Sequence, residues 1–310
     1  MGGNLPMIGE TPHPVSGGRP LRTPAPALDF AALLETAREM GALPTTVTQL
    51  ATLVADDDYA IGDVVDVVSL DQSLVADLLR QANSASSAPV VPVRTVREAA
   101  MRLGVGALLS LALSATVSDR MSGALPAYGL AEGALWRESV AASVAAEVVR
   151  VKSTVQVPAE AGTAALLHDL GKVVLSAHFG PEVLDMLAQA AATQRMPLLD
   201  IEKAVLGTDH AQIGGLIAGQ WQLPTTIVEA ISLHHERKET LTPICAAVSV
   251  AHAMVPELLA DELVTDLTTG ARATHGGLMR RLGLDTDAYP ELLVIARGRY
   301  ADLAGRYDAA

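Results

Sequence analysis

Residues 166–172 read Leu-Leu-His-Asp-Leu-Gly-Lys, so an ionisable pair, His168 and Asp169, stands inside an apolar segment with a helical pattern. Burying a charged group in apolar surroundings is costly unless the group is paired or coordinated. Lys172, a third ionisable residue, follows three positions after Asp169. The stretch therefore predicts a polar centre inside the fold, either a metal site or a hydrogen-bonded pair kept for structure.

His168 and Asp169 are neighbours in sequence, which restricts how they can act together. On a helix their side chains would diverge by about 100°. Both side chains can contribute to one site only if that site lies between them. A carboxylate that bridges two metal ions, with the imidazole on one ion, fits that geometry. A His–Asp hydrogen bond that fills a buried polar gap fits it as well.

Four downstream histidines stand in contexts that indicate helix interiors. His210 falls on one helical stripe with Gly214, Ile217 and Trp221. Gly214, like its neighbours at 215 and 219, costs about 1 kcal/mol relative to alanine in a helix, which is tolerable where another backbone must approach closely. The other three histidines of this set are His234, His235 and His252. Each alone is a weak signal, and together with His168 they predict one site.

The remaining histidines lack such a context. His13 lies in a proline-rich tail, and His178 and His275 are predicted to be surface residues.

Composition excludes several classes of function. The formal net charge of −13 disfavours general nucleic-acid binding, because a phosphate polyanion would be repelled by most of the surface. The arginines near the C-terminus are interleaved with acidic residues and indicate a solvated helix face. The single cysteine, Cys245, excludes a thiolate metal cluster and fits a reducing cytoplasm.

The apolar stretches predict no membrane segment. The N-terminus lacks the basic and apolar regions of a signal peptide. Residues 103–118 form an apolar stretch shorter than the roughly 20 residues that a span needs, and they contain glycine and serine. We therefore expect them to form a buried helix and the protein to be cytoplasmic.

The hydrophobic pattern predicts an all-α protein. Half of the residues are hydrophobic but only 3% are aromatic, so small aliphatic side chains must fill the core. Apolar residues recur at helical spacing from Phe30 onward, and no stretch alternates as a strand would. We expect a disordered proline-rich arm over 1–28, an N-terminal helical part over 29–122, a helical bundle over 123–256 and a C-terminal helical extension over 257–310. A helix is also predicted over 181–192.

Several short motifs resemble those of one known family, the HDOD domain, which is an output-domain relative of the HD and HD-GYP phosphohydrolases. The resemblance covers about residues 30–236, and its motifs together are highly specific. They are, in order, Leu43-Pro44, residues 71–74, 78–85 and 99–104, Leu135-Trp136, residues 166–172 and 221–224, and His234-His235.

The resemblance implies an HD-like helical bundle with an N-terminal helical subdomain and a role in bacterial signal transduction. It also implies metal-ligand positions, which fall on His168, Asp169, His210, His234 and His235.

Two further ligand positions of the HD enzymes are substituted in this chain. Glu138 stands where a histidine is expected after Leu135-Trp136, and His252 stands where an aspartate is expected. Both residue types can still bind metal. The Gly-Tyr-Pro signature of the HD-GYP group is absent, with Arg-Lys-Glu at 237–239.

Three functions follow as hypotheses. The first is a regulatory module with a degenerate, non-catalytic HD site that binds a signalling protein or a small ligand such as a nucleotide. The second is a metal-dependent phosphohydrolase acting on a cyclic dinucleotide or another nucleotide, in which Lys172 stabilises or protonates the leaving oxygen. The third is a regulatory domain with a structural metal. A nitrogen and oxygen ligand set suits Fe, Mn or Zn.

Overall fold

The structure is a computed structural model that describes residues 30–56, 58–83, 92–180, 183, 198–238, 240–260 and 275–307. Throughout these ranges the regular secondary structure is helical, apart from one isolated bridge between Leu125 and Leu130. The all-α prediction is confirmed. The predicted arm over 1–28 and most of the helix predicted over 181–192 lie outside the described residues.

The described residues contain helices in the following order along the chain. The first six are α1 (Phe30–Glu39), α2 (Thr45–Val54), α3 (Ile61–Ser69), α4 (Gln72–Ala82), α5 (Val96–Leu103) and α6 (Val105–Met121). The next six are α7 (Ala134–Lys152), α8 (Ala161–Leu167), α9 (Gly171–Ala177), α10 (Leu198–Leu206), α11 (His210–Gln220) and α12 (Thr225–Ser232). The last three are α13 (Pro243–Leu259), α14 (residues 275–281) and α15 (Tyr289–Tyr307).

Local signals define the starts of several N-terminal helices. The Asp71 side chain accepts hydrogen bonds from the backbone N–H groups of Ser73 and Leu74 and so caps α4. Thr95 and Glu98 form a reciprocal capping box at α5. Such caps satisfy N–H groups that have no partner within the helix. These helices bury aliphatic stripes, such as Leu74, Leu78 and Ala82 in α4.

The bundle is built around α7 and α8. Helix α7 packs against α8, α13 and α15, and α8 also packs against α6, α12 and α13. Helix α1 packs against α9 and α11, where the Trp221 indole N–H donates to the carbonyl of Gly41 at 2.7 Å. Within the predicted C-terminal extension, helix α15 packs against α7.

Residues 103–118, which are predicted as a buried helix, lie almost entirely in α6. Leu108, Leu109 and Leu113 of this helix are fully buried within the fold. Among the described helices, none is by itself long and apolar enough to cross a membrane. Helices α5 and α6 would be long and apolar enough only when taken together, and they are bent by 106° at their junction.

The prediction that His275 is a surface residue is wrong, because only 8% of it is exposed. It begins the buried stripe of α14, in which Leu278, Met279 and Leu282 follow at helical spacing. His178 is half-buried and shares a hydrogen bond of 2.7 Å with Thr36 of α1.

Candidate metal centre

The sequence pattern predicts that the His168–Asp169 pair lies inside a helix. In the structure the pair lies in a tight turn between two helices. Helix α8 ends at Leu167 and α9 begins at Gly171. The N–H of Leu170 donates to the Leu167 carbonyl, and the N–H of Lys172 donates to the Asp169 carbonyl. These two hydrogen bonds stabilise the turn. This turn lets both side chains face the same centre.

Glycine allows the close packing that forms this centre. A Cβ atom on Gly171 would lie 2.0 Å from the His210 carbonyl oxygen and 2.7 Å from the Gly214 nitrogen. The backbones of α9 and α11 are therefore in contact at this point. The predicted close approach of another backbone is confirmed at Gly214, since its own Cβ would lie 3.4 Å from the Gly171 nitrogen. The same prediction is wrong for Gly219, where a Cβ would meet nothing within 4 Å.

The structure brings the predicted site residues together from five elements. His210 is the first residue of α11, His234 and His235 follow the end of α12, and His252 lies within α13. His168, Asp169, His210 and His234 are each at most 2% exposed. His235 and His252 are half-buried, as is Glu138 on α7. Lys172 is buried and its ammonium donates to Asp169 Oδ2 at 2.6 Å.

Three of the imidazole rings have their Nδ1 atom committed to an acceptor. His168 Nδ1 is 2.7 Å from the Ala165 carbonyl, and His234 Nδ1 is 2.7 Å from the Ile231 carbonyl. His210 Nδ1 is 2.7 Å from the Glu202 carboxylate. Because carbonyl and carboxylate oxygens only accept, each Nδ1 is the donor. In the neutral rings, the Nε2 lone pair is then free and points into the centre.

The atoms that meet at the centre are mostly acceptors. Asp169 Oδ2 is 3.1 Å from His168 Nε2, and Asp169 Oδ1 is 3.2 Å from His210 Nε2. His235 Nε2 lies 2.8 Å from His210 Nε2, and His252 Nδ1 lies 3.0 Å from His168 Nε2. Lone pairs at these distances repel unless a proton or a cation lies between them.

Of the buried atoms without a hydrogen-bond partner among the described residues, two face each other at the centre. They are His234 Nε2 and Asp169 Oδ1, which are 3.8 Å apart. A buried polar atom without a partner costs about 1–3 kcal/mol, and most such atoms in native proteins are paired. A cation bound between these two atoms would satisfy both.

The donors fall into two groups that share His234. In one group, donor atoms of His168, Asp169, His234 and His252 all lie within 4.8 Å of one another. In the other, the same holds for His210, His234 and His235. These nitrogen and oxygen donors fit Fe, Mn or Zn. Cys245 belongs to neither group, and its thiol accepts a hydrogen bond from Thr242.

Burial and nearby charge favour the ligating forms of these side chains. Burial, with the neighbouring histidines, holds the pKa of His234 and His252 well below the ordinary value, and it also lowers the pKa of His235. Neutral imidazole is the form that binds metal. Burial alone would raise the pKa of Asp169, but His168 and Lys172 outweigh it and hold that pKa well below its usual range.

Nearby carboxylates raise the pKa of two other groups, Lys172 and His210, and for His210 this favours the protonated ring over the form that binds metal. Burial would lower the pKa of Lys172, but the Asp169 carboxylate outweighs this effect and raises it. Burial would likewise lower the pKa of His210, and the carboxylates of Asp169 and Glu202 raise it instead. Burial raises the pKa of Glu138, although the Lys172 charge opposes that change.

Two residues of the site were not predicted from the sequence. Glu202 of α10 accepts from both the ring and the backbone N–H of His210. Such a carboxylate orients a ligating imidazole and makes it more basic. Tyr128 lies with its ring centre 5.8 Å from the Lys172 nitrogen, and burial raises the pKa of its hydroxyl. Neither residue stands in a local pattern that distinguishes it from an ordinary helix or loop residue.

Comparison with known proteins identifies the family. The profile of the HDOD domain matches residues 40–237, which is more than half of the chain. The chain therefore belongs to the HDOD family. An uncharacterised protein of Treponema pallidum (strain Nichols) is 25% identical over 217 residues, which are 69% of this chain and 41% of that protein. The chain thus spans less than half the length of this relative.

Solved structures of similar proteins share the fold. An HDOD domain protein of unknown function from Geobacter sulfurreducens is 23% identical, with a TM-score of 0.65 over 87% of this chain and 96% of that one. A candidate phosphohydrolase from Shewanella amazonensis SB2B is 23% identical, with a TM-score of 0.61 over 88% of this chain and 99% of that one. At this level of identity, the likeness establishes the all-α HD-like fold.

Proposed function

We propose that this protein is a regulatory module of bacterial signal transduction whose HD site is a metal centre without catalytic turnover. The observation that carries the proposal is the buried, unpartnered His234 Nε2, which faces the equally unpartnered Asp169 Oδ1. A hydrogen-bonded polar pair kept only for structure would leave neither atom unsatisfied. A bound cation satisfies both.

The ion would be held by His168, Asp169, His234 and His252, the group with four donors. The second group, His210, His234 and His235, shares His234 with the first and would offer an alternative position for the ion. A bound ion of this kind supplies Lewis acidity and positive charge. Glu202 orients His210, and the carbonyls of Ala165 and Ile231 fix the rings of His168 and His234.

The ligand set supports a regulatory role. Glu138 and His252 replace two residues that the HD enzymes are expected to use. A catalytic metal site keeps an open position for substrate or water, whereas a structural site is closed by protein ligands. The four-donor group is complete without any exogenous ligand. Lys172 is already held by Asp169 at 2.6 Å, which neutralises its charge locally.

Elemental analysis tests this proposal directly. We expect protein purified without chelator to contain about one or more Fe, Mn or Zn per chain. His234→Ala should lose the ion, while His178→Ala, which removes a histidine outside the centre, should retain it. A wild-type protein without metal, or a His234→Ala protein that keeps its metal, would refute the metal centre.

A metal-dependent phosphohydrolase is the second candidate, and the exposed side of the centre favours it. His235, His252 and Glu138 are only half-buried, so a phosphate could approach from there. Lys172 would then stabilise or protonate the leaving oxygen. The similar protein from Shewanella amazonensis SB2B is described as a candidate phosphohydrolase.

Phosphodiester hydrolysis separates the two candidates. The assay uses bis(p-nitrophenyl) phosphate and a cyclic dinucleotide with protein loaded with Mn²⁺ or Fe²⁺. The regulatory proposal predicts no turnover above the metal-only background. Turnover on the order of 1 s⁻¹ or faster that is lost in His234→Ala would establish the enzyme instead.

A further inference from the structure

A second concave site lies away from the metal-binding side chains. It is a cavity of about 460 Å³ between α5, α6, α7, α8 and the C-terminal helix α15. Its volume falls in the range of about 300–1,000 Å³ that is typical of small-molecule sites. None of the proposed metal ligands lines it, but Gly162 and Leu166 of α8 do. Helix α8 leads directly into His168, so the two sites share one element.

The walls of the cavity are mainly aliphatic. The apolar side chains that line it include Leu103, Ala107, Leu111, Val140, Val144 and Leu166. No aromatic side chain is among the lining residues. A nucleobase would therefore have no ring on which to stack, whereas an aliphatic body would bury its surface.

The charges at the cavity favour an anion. Arg102 and Arg299 line it, together with one carboxylate, Glu147. The Glu147 carboxylate receives two hydrogen bonds from Arg150, the first from Nε at 2.8 Å. Its charge is therefore balanced by a residue outside the lining. Arg299 forms no hydrogen bond or ion pair with any residue that the structure describes. Arg299 therefore offers a positive charge to a ligand.

Two hydroxyl groups are also available to a ligand. Ser114 of α6 and Ser143 of α7 line the cavity, and both are half-buried. Within the described part of the chain, neither hydroxyl forms a hydrogen bond. Ser110 differs, because its hydroxyl bonds to Thr163 at 3.0 Å. A carboxylate head group could accept hydrogen bonds from the two unbonded hydroxyls.

We propose that this cavity binds an amphipathic small molecule with an aliphatic body and one carboxylate or similar anionic group. The apolar walls would contact the aliphatic body, and Arg299 with the hydroxyls of Ser114 and Ser143 would bind the head group. The inference goes beyond the proposed metal centre and does not depend on it.

Isothermal titration calorimetry with dodecanoate, used below its micelle-forming concentration, tests the site. We expect one saturable site per chain. Dodecyltrimethylammonium has the same chain and the opposite charge, so it should bind at least about tenfold more weakly. Absence of saturable dodecanoate binding, or equal binding of the two amphiphiles, would overturn the proposal.

Variants locate the binding. Ala107→Phe fills the cavity and should weaken dodecanoate binding at least about tenfold. Arg299→Glu should weaken it by about tenfold, since a charged hydrogen bond is lost and a repulsion is added. Arg97→Glu makes the same charge change on an exposed residue outside the lining and should stay within about twofold of wild type.

Unchanged affinity in both Ala107→Phe and Arg299→Glu would also overturn the site. Thermal melts show whether each variant is folded, and Arg299 is exposed, so its replacement leaves the core intact. Metal content is measured on the same samples. Loss of dodecanoate binding with metal retained, or the reverse, distinguishes failure of this site from failure of the metal centre.

Discussion

Helices α2–α6 and the turn between α8 and α9 are both buried, but they are held by different kinds of contact. The N-terminal helices bury aliphatic stripes, and their ends are capped by nearby side chains such as Asp71 and Thr95. The turn buries an ionisable pair, and its histidine partners come from elements 41 to 84 residues further along the chain. The first region is specified locally, whereas the second depends on how distant elements meet.

The largest expected effect tests whether backbone contact at Gly171 forms the metal centre. Gly171→Ala places a Cβ 2.0 Å from the His210 carbonyl, so α9 and α11 must separate. We expect a loss of about 4 kcal/mol in the free energy of unfolding, together with loss of bound metal. Urea unfolding and elemental analysis measure the two effects.

Gly219→Ala is the matched control for Gly171→Ala, because it lies in α11 with nothing within 4 Å of the added Cβ. We expect it to stabilise the protein by up to about 1 kcal/mol and to leave metal content unchanged. Equal destabilisation by both glycine variants would show that backbone contact at Gly171 is not what forms the centre.

Removing a buried side chain from the N-terminal helices should lower stability without affecting the metal centre. Leu78 of α4 is fully buried, so Leu78→Ala should cost about 3 kcal/mol through lost apolar burial and the cavity left behind. Metal content should stay at the wild-type value, because no ligand is near. Loss of metal in this variant at a temperature where it is folded would break the distinction between the two regions.

Acidification should destabilise the metal-free protein through the polar centre. The pKa values of His234, His235 and His252 are lowered mainly by burial. When the pH falls below the ordinary imidazole pKa of about 6.5, these three histidines are protonated in the unfolded chain but stay neutral in the folded protein. Stability is therefore present above that pH and lost as the pH falls. The raised pKa of His210 offsets part of this loss.

Urea unfolding in chelator at pH 7.5 and 5.5 measures this effect. We expect a net loss of about 2 kcal/mol between the two pH values. His234→Gln should reduce the pH dependence, and Leu78→Ala should leave it unchanged. A wild-type protein equally stable at both pH values would contradict the protonation states assigned to these rings.

The smallest expected effect concerns a local cap. Thr95 accepts from the N–H of Glu98, and Glu98 closes the reciprocal bonds of the capping box. Thr95→Ala should cost about 1 kcal/mol and leave metal content unchanged. Thermal melts of this variant beside Thr52→Ala, which changes a mid-helix threonine of α2, measure the cap alone. Equal melting temperatures for the two variants would argue against the cap.

The locally specified features were predictable from the sequence. The apolar period of 3.6 residues predicts the N-terminal helices, and α1 to α6 form in that part of the chain. The glycines at 214, 215 and 219 predicted close approach of another backbone, and backbone atoms 3.4 Å from the Cβ positions confirm it at 214 and 215 but not at 219. Clustering of the five histidines was expected because each stands in an apolar helical context.

Features that depend on tertiary contact were not predictable in the same way. Glu202 lies eight residues before His210, and only the connection from α10 to α11 brings its carboxylate to that ring. The buried position of His275 depends on the packing of α14. The turn at His168 has backbone angles near those of a helix. Because the residues around it are also apolar, the sequence pattern resembles that of one continuous helix.

X-ray absorption spectroscopy of the purified protein, at the edge of whichever metal elemental analysis finds, tests the central claim most directly. The account predicts a first shell of nitrogen and oxygen atoms at about 2.0–2.2 Å with the outer-shell scattering of imidazole rings, and loss of that signal in His234→Ala. A sulfur shell at about 2.3 Å, or a spectrum without imidazole scattering, would contradict it.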